Sequence, residues 1–126
     1  MTIVPDLYRG QVATDNERAG HLMNNLDWPG AVQDIQGAVY YLKSQGVEKV
    51  GITGFCMGGA LSIAAAVRVN GLSASAPFYG IPGKELADPA KVRVPLQLHF
   101  GLLDAIKGFS DPEAQDALDK SLKEAH

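Results

Sequence analysis

Apolar and polar positions recur along this chain with two different periods, and each period predicts a type of element. From Asp27 to Gly46 the apolar residues return every three or four positions, which is typical of an amphipathic helix. Asp27 is a good N-cap residue, and Gly46 stands where a left-handed residue commonly follows a helix. We therefore predict one long helix in this part of the chain.

Two further helices are predicted from capping boxes, in which a hydroxyl residue is followed three positions later by a glutamate. Thr14 and Glu17 form the first box, ahead of a short amphipathic helix. Ser110 and Glu113 form the second, ahead of a helix with a regular apolar stripe near the end of the chain. Both hydroxyl residues are therefore predicted to be N-caps.

Short apolar segments between these helices have the length and composition of strands. They are residues 2–5, 49–53, 72–78 and 94–100, with an apolar helix from about 57 to 69 between the second and the third. Strands that alternate with amphipathic helices indicate α/β layering around a mostly parallel sheet. We expect one domain over residues 1–126, with a sheet of about four strands flanked by helices.

The composition limits the class of protein more than it identifies a function. With 46% hydrophobic and 20% charged residues, the chain is ordinary for a soluble globular domain. Its formal charge of −3 argues against a general nucleic-acid-binding surface, and no apolar run approaches the roughly 20 residues that span a bilayer. The first residues lack a signal peptide, and a single cysteine excludes a disulfide within the chain. We predict a cytoplasmic protein with no nucleic-acid or membrane partner.

The most informative segment is residues 50–65, with the sequence VGITGFCMGGALSIAA. It is predicted to form a buried strand, a tight turn with Cys56 at its apex, and an apolar helix. A nucleophile flanked by glycines between a strand and a helix is typical of the nucleophile elbow of α/β-hydrolases. The strained turn brings strand and helix so close that we expect Gly54 and Gly58 to be required, with Gly59 giving clearance for the helix.

The same turn predicts how the thiol is activated. The helix N-terminus favours the thiolate of Cys56, and the backbone N–H of Met57 is expected to point at a developing oxyanion. Two other interpretations stay open: a lone cysteine is often a small buried hydrophobe, and TGFCMG is similar to the start of a dinucleotide-binding turn. The last glycine of that fingerprint falls on Ala60, and the next strand has no acidic residue for a ribose hydroxyl, which favours the nucleophile.

Asp104 is the second candidate catalytic residue. Like Cys56 it closely follows a predicted strand, and the active site of such a sheet lies at the carboxyl ends of its strands. A nucleophile followed by a carboxylate is the chain order of α/β-hydrolase triads, in which the carboxylate orients a histidine. The alternative for Asp104 is a carboxylate that caps its own loop. No cluster of side chains has metal-ligand spacing, so neither a metal nor another cofactor is predicted.

Five segments of the sequence together resemble the dienelactone hydrolase (carboxymethylenebutenolidase) family. They are VPDLYR (residues 4–9), LDWPGAV (26–32), GFCMGG (54–59), PFYG (77–80) and HFGLLD (99–104). The resemblance covers nearly the whole chain and implies an α/β-hydrolase fold. It also implies hydrolysis of a small-molecule lactone or ester through a Cys-His-Asp triad, with Cys56 as the nucleophile and Asp104 as the carboxylate.

The histidine of that triad has no match in this sequence. In the family it stands in a Gly-His turn after a further strand, whereas this sequence reaches His126, its last residue, 22 residues after Asp104. His21 is predicted at the surface of the first helix, His99 inside a strand, and His126 at a helix C-terminus, and none is a good general base. The resemblance therefore predicts a partial hydrolase domain, truncated at both ends.

Three residues are candidates for substrate binding. The family places an arginine just after PDLY to bind the substrate carboxylate, and Arg9 is the corresponding residue here. A solvated loop arginine is the alternative interpretation. Tyr8 and Tyr79 are expected either to line the pocket or to pack at its rim.

Two classes of function follow from these residues. The first is a lactone or ester hydrolase that depends on Cys56. The second is a catalytically inactive fragment that acts as a binding or assembly piece and self-associates through exposed sheet edges. A nucleotide-binding fold is a third interpretation, and it predicts measurable affinity for NAD(P).

Overall fold

A computed structural model describes all of residues 1–126, and it contains four α-helices and two β-strands. In chain order they are α1 (Asn16–Asn24), α2 (Trp28–Ser44), β1 (Val50–Phe55), α3 (Met57–Arg68), β2 (Leu72–Phe78) and α4 (Pro112–Ala125), with a short 3-10 helix (Pro89–Lys91) before α4. The predicted alternation of strand and helix is present in the β1-α3-β2 unit. None of the helices is both long and apolar enough to cross a membrane.

The sheet consists of β1 and β2, which run parallel and bring Phe55 level with Phe78. A third extended segment runs beside β2 in the same direction and is joined to it by backbone hydrogen bonds, but these form only two isolated bridges, Ser75 with Leu96 and Phe78 with His99, and not a continuous ladder. Of the expected sheet of about four strands, the structure shows two, which are parallel and flanked by helices. The reason for the break in the third segment is Pro77, which lacks the N–H needed to continue the ladder between those two bridges.

The predicted strand at residues 2–5 is also absent, since no regular structure is assigned before α1. Residues 1–5 instead line one side of a groove of about 420 Å³, whose other side is β1. The side chains of α2 that line this groove include Val39 and Leu42. Because β1 pairs with β2 alone, the edge of β1 that lines this groove is unpaired.

The core lies between the helices and one face of the sheet. It consists of buried apolar residues of α2, β1 and α3, together with two residues from the segments that follow them, and these are Ala31, Val32, Ile35, Val39, Leu42, Val50, Leu61, Ala64, Ala65, Val69 and Ala87. The opposite face of β1 is exposed at Gly51, Thr53 and Phe55. Of the two elements that position Cys56, β1 is therefore covered on one face only, whereas α3 is buried over residues 59–66.

The helix caps show where the local pattern was correct. Asp27 caps α2 as predicted, since its Oδ1 accepts from the N–H of Gly30 at 3.1 Å, and Gly46 has the expected positive φ of 87°. The other two caps are displaced by one residue, because Asp15 caps α1 and Asp111 caps α4.

The predicted N-caps Thr14 and Ser110 are therefore wrong. In both cases the neighbouring aspartate takes the role, and its charged carboxylate is a stronger acceptor for the free N–H groups of the first turn. Ser110 is completely buried instead, and its hydroxyl has no hydrogen-bond partner.

Candidate active site

Cys56 forms a sharp turn between the carboxyl end of β1 and the start of α3. Its backbone has φ 57° and ψ −116°, an unusual conformation for a residue with a side chain. The turn is held by two backbone hydrogen bonds: the N–H of Cys56 donates to the carbonyl of Phe78 (3.1 Å), and its carbonyl accepts from Ala60 (3.1 Å). The half-buried thiol is consequently placed at the strand end on a backbone with little freedom.

Three glycines allow the backbone segments around Cys56 to approach one another. A Cβ atom at Gly54 would overlap the carbonyl of Gly58, one at Gly59 would overlap the carbonyl of Phe78, and one at Gly80 would overlap the carbonyl of Cys56. The expectation for Gly54 and Gly59 is therefore supported by the packing. That for Gly58 is wrong, because nothing lies within 4 Å of its missing Cβ.

Gly80 was not singled out from the sequence, although it belongs to the PFYG segment. It follows β2, and its neighbours are the Cys56 carbonyl and the Ala60 nitrogen, twenty and more positions earlier in the chain. The only signal in the sequence is a glycine two residues after the end of a predicted strand. Its role becomes visible once β2 is docked beside the turn.

Met57 is the first residue of α3, and its backbone N–H belongs to the free amide groups at a helix N-terminus. No side chain caps this helix. The positive end of the helix dipole therefore lies next to Cys56, the residue that precedes the helix.

Tyr8 lies beside this turn. Its hydroxyl donates a hydrogen bond to the Sδ atom of Met57 at 3.4 Å. Partial burial of the ring, followed by the negative charge that Cys56 carries as a thiolate, raises the pKa of Tyr8 above its ordinary value. The structure thus brings Tyr8, Cys56 and Met57 together.

Arg9, the next residue, is paired with α2. Its guanidinium forms a two-fold ion pair with Asp34 of α2, with Nε–Oδ2 at 3.0 Å and Nη2–Oδ1 at 3.1 Å. The hydrogen bond to Asp34, with the charge of that carboxylate, raises the pKa of Arg9. The side chain remains 63% exposed. The guanidinium is therefore already neutralised by a carboxylate of the same chain.

Tyr79 stands at the end of β2, one residue beyond Phe78, and is 41% exposed. It belongs to an aromatic cluster at the strand ends, in which the Phe55 and Phe78 rings are 4.8 Å apart and those of Phe55 and Tyr79 6.3 Å apart. His99 stacks on Phe78 at 4.2 Å with only 9° between the ring planes. His99, predicted to lie inside a strand, therefore packs against this aromatic cluster.

Asp104 lies in the loop after the third extended segment, at the same end of the sheet as Cys56. Its Oδ1 accepts a hydrogen bond from the N–H of Ile106 at 2.9 Å, so the carboxylate turns into its own loop. No histidine side chain is hydrogen-bonded to it: His21 lies 3.8 Å from Glu17, and His126 follows α4. The loop-capping alternative describes its present contacts, and a role in a triad stays a prediction.

No group of three or more histidine, cysteine, aspartate or glutamate side chains is arranged to hold a metal ion. The groups that the site brings together are a thiol at a helix N-terminus, a tyrosine hydroxyl close by and an exposed aromatic rim.

Comparison with known proteins gives one family and several curated relatives. The model of the Dienelactone hydrolase family matches residues 1–126. Protein usf of Aquifex pyrophilus is 36% identical over 105 residues, which cover 76% of this chain and 45% of that protein. A putative carboxymethylenebutenolidase of Aquifex aeolicus is 33% identical over 104 residues, again 76% and 45% of the two chains.

A carboxymethylenebutenolidase of Pseudomonas putida is 31% identical over 111 residues, or 79% of this chain and 47% of the relative. The chain therefore spans about half the length of the curated relatives it matches.

Proposed function

Because the chain belongs to the dienelactone hydrolase family, we propose that it contributes the nucleophile of a hydrolase that cleaves lactone or ester bonds. The observation that carries the proposal is the turn at Cys56, where a thiol with positive φ stands between a parallel strand and the N-terminus of α3. The relative from Pseudomonas putida is named carboxymethylenebutenolidase and that from Aquifex aeolicus putative carboxymethylenebutenolidase, which supports the same reaction class.

In this mechanism the thiolate of Cys56 attacks the carbonyl carbon of the lactone or ester. The carbonyl oxygen becomes an oxyanion, and the N–H of Met57 stabilises it. When the tetrahedral intermediate collapses, the bond between the acyl carbon and the ring oxygen breaks, and the oxygen leaves as an alkoxide or enolate that takes up a proton. The acyl group is then a thioester on Cys56, and water must release it.

The release of the thioester needs a general base that activates water. In a triad of the α/β-hydrolase type this base is a histidine. We propose Asp104 as the carboxylate that orients it. Since none of the three histidines is hydrogen-bonded to Asp104, acylation is the half of the cycle that residues 1–126 support best. The expected behaviour is rapid acylation followed by slow turnover.

Tyr79 and the aromatic rim would accept the apolar body of the substrate, and Tyr8 would line the opposite side. Arg9 can bind a substrate carboxylate only by leaving Asp34, so we propose that any such role requires exchange of one carboxylate partner for another. A variant Asp34→Asn, which weakens the ion pair, should lower the KM for an anionic lactone if Arg9 binds it.

The test is hydrolysis of a dienelactone and of p-nitrophenyl acetate by the purified chain, beside Cys56→Ala. We expect about one equivalent of p-nitrophenolate to be released in a burst, with an acetyl group on Cys56 in the intact mass, and neither in the alanine variant. A wild-type protein that shows no acylation at Cys56 would remove the proposal. Sustained turnover by this chain would instead refute the expected slow release.

The second candidate function is assembly through the unpaired edge of β1. The observation that favours it is the absence of a second neighbour for β1 beside an apolar groove, because an open strand edge is a site for self-association. Light scattering after size exclusion should then show dimers or larger species, which Thr53→Lys, a charge on this strand, should reduce. A monodisperse monomer at high concentration argues against assembly.

A further inference from the structure

Two buried hydroxyl groups lie where α3 packs on the sheet. They belong to Ser62 of α3, which is 1% exposed, and to Ser75 of β2, which is 3% exposed. Every other buried residue of α3 is glycine, alanine, leucine or isoleucine. A buried hydroxyl costs free energy unless it is hydrogen-bonded, and alanine would fill nearly the same volume. What these serines add to the packing is therefore the direction of their hydrogen bonds.

The hydroxyl of Ser62 holds the first turn of α3. Its Oγ donates to the carbonyl of Gly58, four residues earlier, at 2.7 Å. This carbonyl is also the group against which Gly54 packs, since a Cβ atom at Gly54 would overlap it. Gly54 and Gly58 stand two residues before and two residues after Cys56. The hydrogen bond of Ser62 is therefore made to the carbonyl at which strand and helix meet around the nucleophile.

The hydroxyl of Ser75 ties the next turn of α3 to the sheet. Its Oγ donates to the carbonyl of Ser62 at 3.0 Å. The backbone of Ser75 is bonded to the third extended segment as well, since its N–H donates to the carbonyl of Pro95 and its carbonyl accepts from the N–H of Gln97, both at 3.0 Å. Ser75 therefore joins α3 to the segment that leads to Asp104.

We propose that Ser62 and Ser75 are positioning residues, which hold the N-terminus of α3 in register with the end of β1. In this role they fix the direction of the Met57 N–H relative to the Cys56 thiol. The inference rests on the proposed function of Cys56. A catalytic donor must be held to within a fraction of an ångström by the groups behind it. Hydrogen bonds supply the fixed direction that apolar packing lacks.

The test compares two reactions of the same thiol in alanine variants. Both acceptor carbonyls also accept the helical N–H four residues later, so Ser62→Ala and Ser75→Ala leave no buried group unpaired and should fold. Acylation by p-nitrophenyl acetate forms an oxyanion that needs a well-aimed N–H, whereas alkylation by iodoacetamide displaces iodide and forms none.

The expected loss is confined to acylation. Removal of one oxyanion donor costs ~10²–10³ in rate, and a donor that is present but misdirected costs less, so Ser62→Ala should slow the acylation burst about threefold to tenfold. The double variant Ser62→Ala/Ser75→Ala should be slower still. The rate of alkylation should be unchanged in both proteins.

Two control variants separate positioning from a general loss of stability. Ser44→Ala removes a hydroxyl that also donates to a carbonyl of its own helix, that of Tyr41 at 2.6 Å, but at the C-terminal end of α2. It should change neither rate. Asp111→Ala removes the cap of α4 and should lower stability by a similar amount, with the ratio of the two rates unchanged.

The outcomes distinguish the inference from the function on which it rests. If wild-type Cys56 is not acylated, the proposed function fails and the role of the two serines falls with it. If Cys56 is acylated and Ser62→Ala acylates as fast as wild type, the positioning role alone is refuted. An equal loss in acylation and alkylation, or the same loss of acylation in Asp111→Ala, would also overturn it, since the serines would then act only through the stability of the fold.

Discussion

The close contact between α3 and the end of β2 predicts opposite effects for the same substitution at two adjacent positions. Gly58 and Gly59 both lie in the first turn of α3. A Cβ at Gly59 would overlap the carbonyl of Phe78 and lie 3.2 Å from the nitrogen of Gly80, whereas a Cβ at Gly58 meets nothing within 4 Å. Gly59→Ala should therefore destabilise the protein, and Gly58→Ala should not.

The magnitudes follow from these contacts. Alanine in place of a helical glycine gains up to about 1 kcal/mol at either position. At Gly59 the overlap with backbone forces strand and helix apart, and overpacking of this kind costs about 1–3 kcal/mol. The two variants should differ in the free energy of unfolding by about 1–3 kcal/mol, or by roughly 4–12 °C in Tm for a chain of this size.

The assay is urea denaturation followed by circular dichroism and by the fluorescence of Trp28, the single tryptophan. The rate at which iodoacetamide alkylates Cys56 provides a local readout, because displacement of β2 from α3 weakens the hydrogen bond between the N–H of Cys56 and the carbonyl of Phe78 that holds the turn. If Gly59→Ala were as stable as Gly58→Ala, the close approach of α3 to β2 would be wrong, and with it the reason given for these glycines.

Two further predictions concern the cap of α4 and the ionisation of Tyr8. Asp111→Ala should lower the free energy of unfolding by about 1 kcal/mol, because Asp111 caps α4 by accepting from the N–H of Ala114. Ser110→Ala removes an unpartnered buried hydroxyl and should be neutral or stabilising. Equal losses of stability for the two variants in urea denaturation would contradict this prediction. The raised pKa of Tyr8 means that the folded protein holds this proton more tightly than the unfolded chain, so its contribution to stability is present below pH 10.0 and is lost as the pH rises through the folded value. Tyr8→Phe should lack that alkaline loss in denaturation from pH 8 to 11, and an identical pH profile would contradict the shift.

The sequence was most informative where the controlling contacts are local. The long helix follows from apolar residues that recur every three or four positions. Its cap follows from Asp27, whose carboxylate accepts from the N–H of Gly30, only three residues later. The turn at Cys56 follows from glycines and a nucleophile within six positions. These patterns depend on neighbours in the chain, so they can be identified without the rest of the fold.

Features that depend on distant partners were missed or misplaced. Arg9 pairs with Asp34, 25 positions away, and no local pattern indicates this ion pair. Gly80 is required, and Gly58 is not, because of how β2 docks against α3. The third extended segment fails to form a continuous ladder because Pro77 of β2 has no N–H to donate. This effect can be recognised only after the pairing of β2 with that segment is known.

The uncovered face of the sheet has a practical consequence for anyone who handles this protein. Gly51, Thr53 and Ala74 are exposed there beside Phe55, which is 59% exposed. Dyes that fluoresce on apolar surfaces should therefore bind the native molecule as well as the unfolded chain. A dye-based melting curve would begin with a high signal and understate the transition, so intrinsic spectroscopy is the appropriate way to rank variants of this fold.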